Sequence, residues 1–363
     1  MASRRLGGCS APRTWGGSFD GHIEPPLLDG MLVIPRGNVK TLEHNPQSLG
    51  EPTLVKKQMA KTITAALRES KLIASFFLAG SKFFSSAAAC PVPPTEIIRV
   101  GYKFGREPFG PAYGIQVPKG SDGLPETVNW LAVPGVVSQS TDQRHCGGCY
   151  IVAGLGSISS LNYLLNKSSI CLSAQHILDA NTVTNHGCEG GWPENVFDFI
   201  IRNGGVVSEN DYPYCAIRGP CKAVEAAGVT IANWAAVEPT EEAVKYAVAY
   251  QPVVASIYTD NNFMDYQKDF LIVPKNHGPL DHAVLLIGYG TCPRQGECWI
   301  GMNSFEKKWG MTCLHYNNIF YIPRNTCHVG GALGVLTDVV LPLGASMVPK
   351  VKTRSESCPA CFK

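Results

Sequence analysis

The chain of 363 residues is long enough to bury one large or two modest hydrophobic cores, and 45% of its residues are hydrophobic. Its formal net charge of +2, with lysines and arginines that do not gather into a stripe, excludes an electrostatic case for nucleic-acid binding. Fourteen cysteines are many for a protein of a reducing compartment and favour an oxidising, secretory one.

The first part of the chain shows three segments of different composition. Residues 1–58 are rich in Gly and Pro and lack clear periodicity, so we predict a poorly ordered extension with at most a short strand at residues 31–34. No apolar region follows the arginines near Met1, which excludes a secretory signal there. Residues 59–89 do combine a basic start, an apolar run and small residues, which is typical of a signal; an amphipathic helix or a transit peptide is the alternative.

A cysteine-rich stretch, QRHCGGCY at residues 143–150, directly precedes an apolar run that is compatible with a helix. A cysteine at the start of a helix becomes a reactive thiolate because free backbone N–H groups and the helix dipole stabilise its negative charge. Cys149 is therefore the candidate nucleophile. Taken alone, the C-x-x-C pattern of Cys146 and Cys149 equally fits a redox pair, half of a zinc site or plain structural cysteines.

Three downstream stretches bear on these alternatives. The glycine-rich loop GCEGGWP at residues 187–193 offers a disulfide partner for Cys146 and bare backbone that an extended peptide can approach. His282 begins an apolar, strand-like run that ends at a glycine, and Asn303 lies in the stretch WIGMNSF. The chain thus presents a thiol, an imidazole and an amide in the order Cys, His, Asn.

These stretches resemble the papain-like cysteine peptidases, the cathepsins, from about residue 124 to residue 343. LPETVNW at residues 124–130 is similar to the start of the mature enzymes. LSAQHILD at residues 172–179 is similar to the entry of their second helix, which Ser173 would cap. Six matching stretches in one order make the resemblance specific.

The order of the predicted elements indicates an α+β fold, because helices come first and strands follow. We predict helices after Cys149 and at residues 174–180, 193–202 and 240–250, the last capped by Thr240. We predict strands at residues 253–258, 283–289, 299–302, 319–322 and 335–341. The resemblance implies the papain-like two-lobed arrangement, with a helical left lobe, an antiparallel β-sheet or barrel as the right lobe, and the active-site cleft between them.

The resemblance also implies domain boundaries. Residues 124–345 would form the peptidase domain and residues 346–363 a C-terminal tail. Residues 90–123 would be a short pro-segment that must be removed or displaced in a zymogen, and its Cys90 is similar to the arrangement in cathepsin X.

The resemblance assigns a catalytic role to four residues. His282 would hold Cys149 as a thiolate and protonate the leaving amine, and Asn303 would fix the imidazole tautomer. Gln143 would stabilise the oxyanion together with the Cys149 backbone N–H. Phe305, where the family usually has tryptophan, and Trp309 would shield the His–Asn pair from water.

Substrate contacts are assigned by position in the same way. The residues expected to bind substrate are Gly147, Gly190, Gly191, Trp192, Pro193, Ser256, Leu280, Asp281, Ala283, Trp309 and Ala332. No acidic residue is evident at the floor of the main pocket, so a buried arginine would lack a partner there. We therefore predict an aliphatic or aromatic side chain at the second substrate position before the scissile bond, P2.

The cysteines suggest several disulfide bonds. The resemblance implies a Cys146–Cys188 bridge, and it matches Cys221 to half of a second bridge whose partner position holds Ala180. Local bridges Cys215–Cys221 and Cys292–Cys298 are plausible, and Cys358 and Cys361 form a local bridge or stay free.

The predicted function is that of a cysteine-type endopeptidase. It would act without metal or cofactor on peptide or protein substrates, with cystatin-type inhibitors as possible partners, no nucleic acid, no membrane span and a monomeric state. Two alternatives remain: a dipeptidyl aminopeptidase of the cathepsin C type, and a non-catalytic papain-fold binding protein. The expected location is a lysosome, a vacuole or the extracellular space.

Overall fold

The computed structural model describes residues 32–35, 113–116, 123–269, 271, 273–274, 278–292 and 296–356. The predicted signal-like segment 59–89 and the Cys358–Cys361 pair lie outside the described residues. So do all of residues 1–58 except 32–35, and all of residues 90–123 except 113–116 and 123.

Five α-helices are described: α1 (Cys149–Asn166), α2 (Ala174–Ala180), α3 (Pro193–Asn203), α4 (Glu241–Tyr250) and α5 (Asn261–Met264). Two of them begin at the predicted caps, since the side chains of Ser173 and Thr240 accept hydrogen bonds from backbone N–H groups three residues on. α3 begins with a proline and ends before Gly204, which adopts the left-handed conformation. The helices thus start and stop where local side-chain chemistry dictates.

The strands fall into two sheets. In chain order they are β1 (Leu32–Pro35), β2 (Tyr113–Gln116), β3 (Val128–Asn129), β4 (Val206–Val207), β5 (Glu225–Thr230), β6 (Asn233–Val237), β7 (Val253–Ile257), β8 (His282–Cys292), β9 (Gly296–Met302), β10 (Met311–Cys313), β11 (Tyr316–Pro323), β12 (Val339–Leu343) and β13 (Ser346–Lys352).

The larger sheet has the order β1-β2-β6-β12-β7-β8-β9-β11-β10, with β3 also paired to β8. All its pairs are antiparallel except β2 with β6. The pairing is an open path and, among the described residues, does not close into a barrel. The smaller sheet has the order β13-β5-β4. The fold is α+β, with antiparallel sheets beside a helical half.

Two hydrophobic cores divide this part of the chain. One lies around the large sheet and α4, with Trp299, Phe320 and Leu286 fully buried. The other lies between α1, α2 and α3, with Ile158 and Phe197 at its centre. The N-terminus of α1 and the beginning of β8 meet where these cores adjoin, which places Cys149 and His282 on opposite sides of the junction.

Two predictions about elements need correction. The last predicted strand, 335–341, begins only at Val339 in β12, because a 3₁₀ turn at Ala332–Gly334 and positive-φ glycines at positions 330, 331 and 334 turn the chain before it. Residues 346–352, expected in a tail, form β13 against β5. The short strands β2, β3, β4, β5, β6 and β10 were not predicted. A strand does occur at Leu32–Pro35, where at most a short one was expected.

None of the helices within the described ranges is both long and apolar enough to cross a membrane.

Candidate active site

Cys149 is the first residue of α1 and carries a free thiol. Burial raises the pKa of this thiol, but the charge of His282 and a hydrogen bond from its ring act in the opposite sense. The backbone N–H groups of Ala283 and Tyr150 add to that effect, and the net pKa is lowered from its ordinary value of 9.0. The Cys149 thiol therefore loses its proton more readily than an ordinary cysteine.

His282 is the first residue of β8 and is only 8% exposed. Burial by itself lowers the pKa of the imidazole, whereas the Cys149 charge, hydrogen bonds with Cys149 and Asn303, and the Asp281 charge raise it, so that it ends above 6.5. The pKa values of thiol and imidazole therefore move toward each other, which is the arrangement that favours a thiolate–imidazolium pair.

The Nε2 atom of His282 lies 2.6 Å from the Oδ1 atom of Asn303, which is buried. An amide oxygen only accepts, so Nε2 carries a hydrogen and Nδ1 is the ring nitrogen left for the sulfur. The same oxygen also accepts from the Ser304 backbone N–H at 2.8 Å. Asn303 thereby fixes the tautomer of the imidazole.

Asn303 is itself held by residues that sequence analysis missed. The Asn303 backbone N–H donates to the Asn318 carbonyl at 2.8 Å, and the Ser140 hydroxyl donates to the Asn303 carbonyl. Neither Ser140 nor Asn318 lies in a recognisable motif, because both reach Asn303 through tertiary structure.

Gln143 lies beside Cys149 in a loop that is tied to the other half of the molecule. Its Nε2 donates to the Cys146 carbonyl at 3.0 Å, and its Oε1 accepts from the Ser304 hydroxyl. The Cys146 carbonyl can only accept, so the bond to it fixes which end of the amide carries the donors, and the second Nε2 hydrogen remains for a ligand. Among the described residues, no acceptor takes the Cys149 backbone N–H. Two donors are thus available beside the sulfur. Ser304, directly after Asn303, could have been noticed in the sequence.

An aromatic cluster covers the outer side of the His–Asn pair. The Phe305 ring lies 4.9 Å from the His282 ring, and Trp309 lies behind it at 5.5 Å. Phe263 of α5, which sequence analysis missed, contacts both His282 and Trp309 with its ring. Trp309 is buried and donates its Nε1–H to the Phe263 carbonyl, so the described geometry gives it a packing role. Glu306, Lys307 and Lys308 are exposed beside the cluster.

The C-x-x-C alternatives are decided by a disulfide bond. Cys146 is bonded to Cys188 and not to Cys149, so the two cysteines of the motif form neither a redox pair nor half of a zinc site. Cys292 and Cys298 are also bonded. Cys215 and Cys221 are free thiols, so the local bridge expected between them is wrong.

The glycine-rich loop lies against the Cys149 loop. The Gly147 N–H donates to the Cys188 carbonyl at 2.9 Å, and a Cβ on Gly147 would stand 2.6 Å from that oxygen, so only glycine fits. Gly190 adopts φ +110° and has open space above it. No described residue hydrogen-bonds to the Gly191 backbone, which leaves its N–H and carbonyl free to pair with an extended peptide.

Several of the remaining predicted substrate contacts lie on elements next to His282. Ser256 of β7 pairs with Ala283 of β8, and the Tyr258 N–H donates to the Leu333 carbonyl, which brings the turn containing Ala332 to the same place. Pro193 is buried at the start of α3, and Trp192 and Leu280 are half-buried. Asp281 is exposed, and its carboxylate accepts from the Thr259 N–H and hydroxyl.

Two acidic residues lie beside these positions. The Ser256 hydroxyl donates to the Asp338 carboxylate at 2.7 Å, and the charge of Asp338 acts on Glu194.

The comparisons with known proteins agree with this geometry. A sequence model of the papain family cysteine proteases matches residues 124–332. The chain belongs to this papain family.

Among curated papain-family relatives, the cysteine proteinase RD21A of Arabidopsis thaliana is 33% identical over 226 residues, which are 61% of this chain and 47% of that protein. The low-temperature-induced cysteine proteinase of Solanum lycopersicum is 32% identical over 62% of this chain and 64% of its own length. Macrodontain-1 of Ananas macrodontes is 30% identical over 60% of this chain and 98% of its own. The chain thus spans about half to two thirds of the first two relatives.

Solved papain-like structures are similar to the same part of the chain. The bromelain protease from Ananas comosus, in complex with the E64 inhibitor, has a TM-score of 0.54 and 31% identity over 61% of this chain and 99% of its own. The Amb a 11 cysteine protease, a ragweed pollen allergen solved in its proform, has a TM-score of 0.56 and 25% identity over 62% of this chain and 68% of its own.

Proposed function

We propose that the protein is a cysteine-type endopeptidase that hydrolyses peptide bonds through an acyl-enzyme intermediate. The observation that carries this proposal is the hydrogen-bonded pair of Cys149 and His282, with the thiol pKa lowered and the imidazole pKa raised. A binding protein has no use for such a pair together with Asn303 and Gln143. Membership of the papain family supports the same chemistry.

The reaction would begin with transfer of the Cys149 proton to Nδ1 of His282. The thiolate attacks the carbonyl carbon of the scissile bond, and the negative charge that develops on oxygen meets the Cys149 N–H and the free Nε2–H of Gln143. His282 then gives its proton to the leaving amine, and the C–N bond breaks. The acyl group remains as a thioester on Cys149.

Deacylation repeats these steps with water. His282 takes a proton from a water molecule, which attacks the thioester carbonyl, and the same donors hold the second oxyanion. Collapse of that intermediate breaks the C–S bond, releases the carboxylic acid and returns the proton to the thiolate. No metal or cofactor is needed in this cycle.

The cleft supports binding of an extended peptide on the side of the glycine-rich loop. The free backbone of Gly191 would pair with the substrate backbone. The apolar side chains of Pro193, Ala283 and Ala332 would form the walls of the P2 site and contact the P2 side chain. These walls support the predicted affinity for hydrophobic P2 side chains. The dipeptidyl aminopeptidase alternative rests on sequence likeness to cathepsin C alone.

The Cys146–Cys188 and Cys292–Cys298 disulfide bonds support folding in an oxidising compartment. We therefore place the protein in a vacuole, a lysosome or the extracellular space. A monomeric enzyme whose open cleft accepts cystatin-type inhibitors fits the same proposal.

Labelling with an epoxide inhibitor of the E-64 type tests the proposal. We expect one equivalent of label on Cys149 of the processed chain and none on Cys149→Ala. Cys215→Ala is the matched control, because Cys215 is also a free thiol but is exposed and distant in sequence from the site. Labelling that persists in Cys149→Ala, or correctly folded wild type that neither labels nor cleaves a casein substrate, would contradict the proposal.

A further inference from the structure

Two buried side chains lie directly behind Gly191. A Cβ added to Gly191 would collide with the Asn185 Oδ1 atom and would stand 2.8 Å from the Tyr150 Cε2 atom. Each of these two side chains is only 1% exposed. The Gly191 backbone therefore rests against the Asn185 amide and the Tyr150 ring, and it has no room to move toward them.

The Asn185 amide also holds the residue that follows Gly191. Its Oδ1 atom accepts from the Trp192 N–H at 2.8 Å, and its Nδ2 atom donates to the Trp192 carbonyl at 3.4 Å. The Asn195 amide of α3 donates to the carbonyl of Thr184, the residue before Asn185, at 2.7 Å. Asn185 thus connects the chain after Gly191 to a loop that is itself attached to α3.

Tyr150 connects the other side of the glycine-rich loop to the nucleophile. It follows Cys149 in α1, and its hydroxyl donates to the Gly187 carbonyl at 3.0 Å. Burial raises the pKa of this phenol, so the hydroxyl keeps its proton and remains a donor. The same Gly187 carbonyl accepts from the Gly190 N–H at 3.3 Å. The Tyr150 hydroxyl therefore fixes the loop relative to the start of α1.

We propose that Asn185 and Tyr150 are positioning residues of the substrate site. They hold the Gly191 backbone where it can pair with the P2 backbone of a peptide whose scissile carbonyl lies at Cys149, and they act through Gly191 and not on the reacting atoms. A backbone that is fixed before the substrate arrives need not be ordered on binding. Loss of either side chain should therefore weaken peptide binding and leave the reactivity of the thiol unchanged. This inference rests on the proposed endopeptidase function and adds to it the residues that shape its substrate-binding backbone.

Two reactions of the same thiol separate positioning from chemistry. Iodoacetamide alkylates Cys149 without using the Gly191 backbone, and mass spectrometry of the Cys149 peptide measures the rate. Cleavage of a fluorogenic peptide that fills P2 and P1 uses that backbone. In Asn185→Ala and in Tyr150→Phe, the KM of the peptide should rise roughly three- to tenfold, the size of one net hydrogen bond. The alkylation rate should stay at the wild-type value in both variants.

Matched controls remove the same chemical groups elsewhere. Asn203→Ala removes a buried amide that donates to the Gly205 carbonyl at the C-terminal end of α3. Tyr246→Phe removes a buried phenol hydroxyl of α4, where the ring packs on Tyr250. Both controls should keep the wild-type KM. Thermal unfolding verifies the fold of each variant, and Tyr150→Phe, which keeps the ring, tests the proposal even if Asn185→Ala does not fold.

A second peptide shows whether the effect passes through Gly191. In this peptide an ester oxygen replaces the P2 N–H, so its hydrogen bond to the Gly191 carbonyl is lost. Wild type should cleave it with a kcat/KM that is lower by about tenfold. In Asn185→Ala and in Tyr150→Phe this penalty should shrink to about threefold or less, because the Gly191 backbone is no longer held in place. A purely structural role would leave the penalty unchanged.

Three outcomes would overturn the inference: an unchanged KM in both folded variants, an alkylation rate that falls as much as peptide cleavage does, or an ester penalty equal to that of wild type. If wild-type Cys149 reacts with iodoacetamide no faster than the exposed Cys215 and no peptide is cleaved, the endopeptidase function itself fails instead.

Discussion

The imidazole Nε2 of His282 donates to the amide oxygen of Asn303 across 2.6 Å, and this bond joins β8 to the turn after β9. It leaves Nδ1 as the only ring atom that can exchange a proton with Cys149. Asn303 therefore acts as a positioning residue, and it does so from a buried site that Ser140 and Asn318 hold by its backbone.

Replacing Asn303 by alanine should lower kcat/KM by roughly 10- to 100-fold, because the imidazole is then free to rotate and to change tautomer. The rate of E-64 labelling should fall with it, measured against active-site concentration. Asn325→Ala, which removes an exposed amide that donates to Glu297 at the opposite end of β9, is the control and should keep full activity. An unchanged rate in the folded Asn303 variant would show that the packing around His282 suffices.

The pH profile of kcat/KM should be bell-shaped. The acid limb reports the Cys149 thiol, whose lowered pKa places deprotonation below pH 9, so activity rises as pH increases through it. The alkaline limb reports His282, which loses its charge only above pH 6.5 because its pKa is raised, so activity falls there. A single limb near pH 9 would mean that the thiol is not activated by the imidazole.

Replacing Gln143 by alanine should reduce kcat by about 100-fold with a much smaller change in KM, because the Nε2 donor serves the charge that develops in the transition state. Ser304→Ala frees the same amide to rotate while leaving it in place, so a smaller loss is expected. Steady-state kinetics on one peptide distinguishes the two. Equal losses in KM and kcat for Gln143→Ala would indicate ground-state binding instead.

The Phe305 ring should support activity by keeping water away from the His282–Asn303 hydrogen bond. Phe305→Ala opens the outer side of the His282–Asn303 bond and should lower kcat/KM by about tenfold, since a hydrogen bond exposed to water contributes less. Phe305→Trp should keep most of the activity, because it restores an aromatic cover in the same place. Loss of activity in both variants with intact thermal stability would point to a steric effect on the cleft.

Glu194 should destabilise the fold at neutral pH. A carboxyl group whose pKa is higher in the folded than in the unfolded protein contributes stability below its ordinary value of 4.5, and that contribution is lost as pH rises through about 8. Glu194→Gln removes the titration, so the variant should gain about 1 kcal/mol or more over wild type between pH 5 and pH 8. Denaturant unfolding at the two pH values measures this difference. Glu225→Gln should show no such gain, since Glu225 is exposed and its pKa is lowered.

Local chemistry made part of the molecule predictable from sequence. The caps at Ser173 and Thr240 lie within three residues of the N–H groups they serve, and the positions of α2 and α4 followed from them. Cys149, His282 and Asn303 were found through motifs, and the structure brings them together.

What the sequence did not reveal depends on distant contacts. Asp338 lies just before β12, the strand that pairs with β7, and Glu194 lies in the first turn of α3, so no sequence motif relates either of them to Ser256. The β13 strand was missed for a similar reason. Its exposed, lysine-containing sequence resembles a tail until β5 supplies its partner.

The N-terminal and C-terminal ends of the domain each contribute residues to a different hydrophobic core. Val128, Trp130 and Val137 from its beginning belong to the core of the large sheet, while Ala345 near its end belongs to the core between the helices. Each hydrophobic core thus includes residues from an end of the domain that lies beside the other core in sequence. Proteolytic cleavage around residues 217–224 should leave the two fragments associated. The whole domain should then unfold in a single cooperative transition.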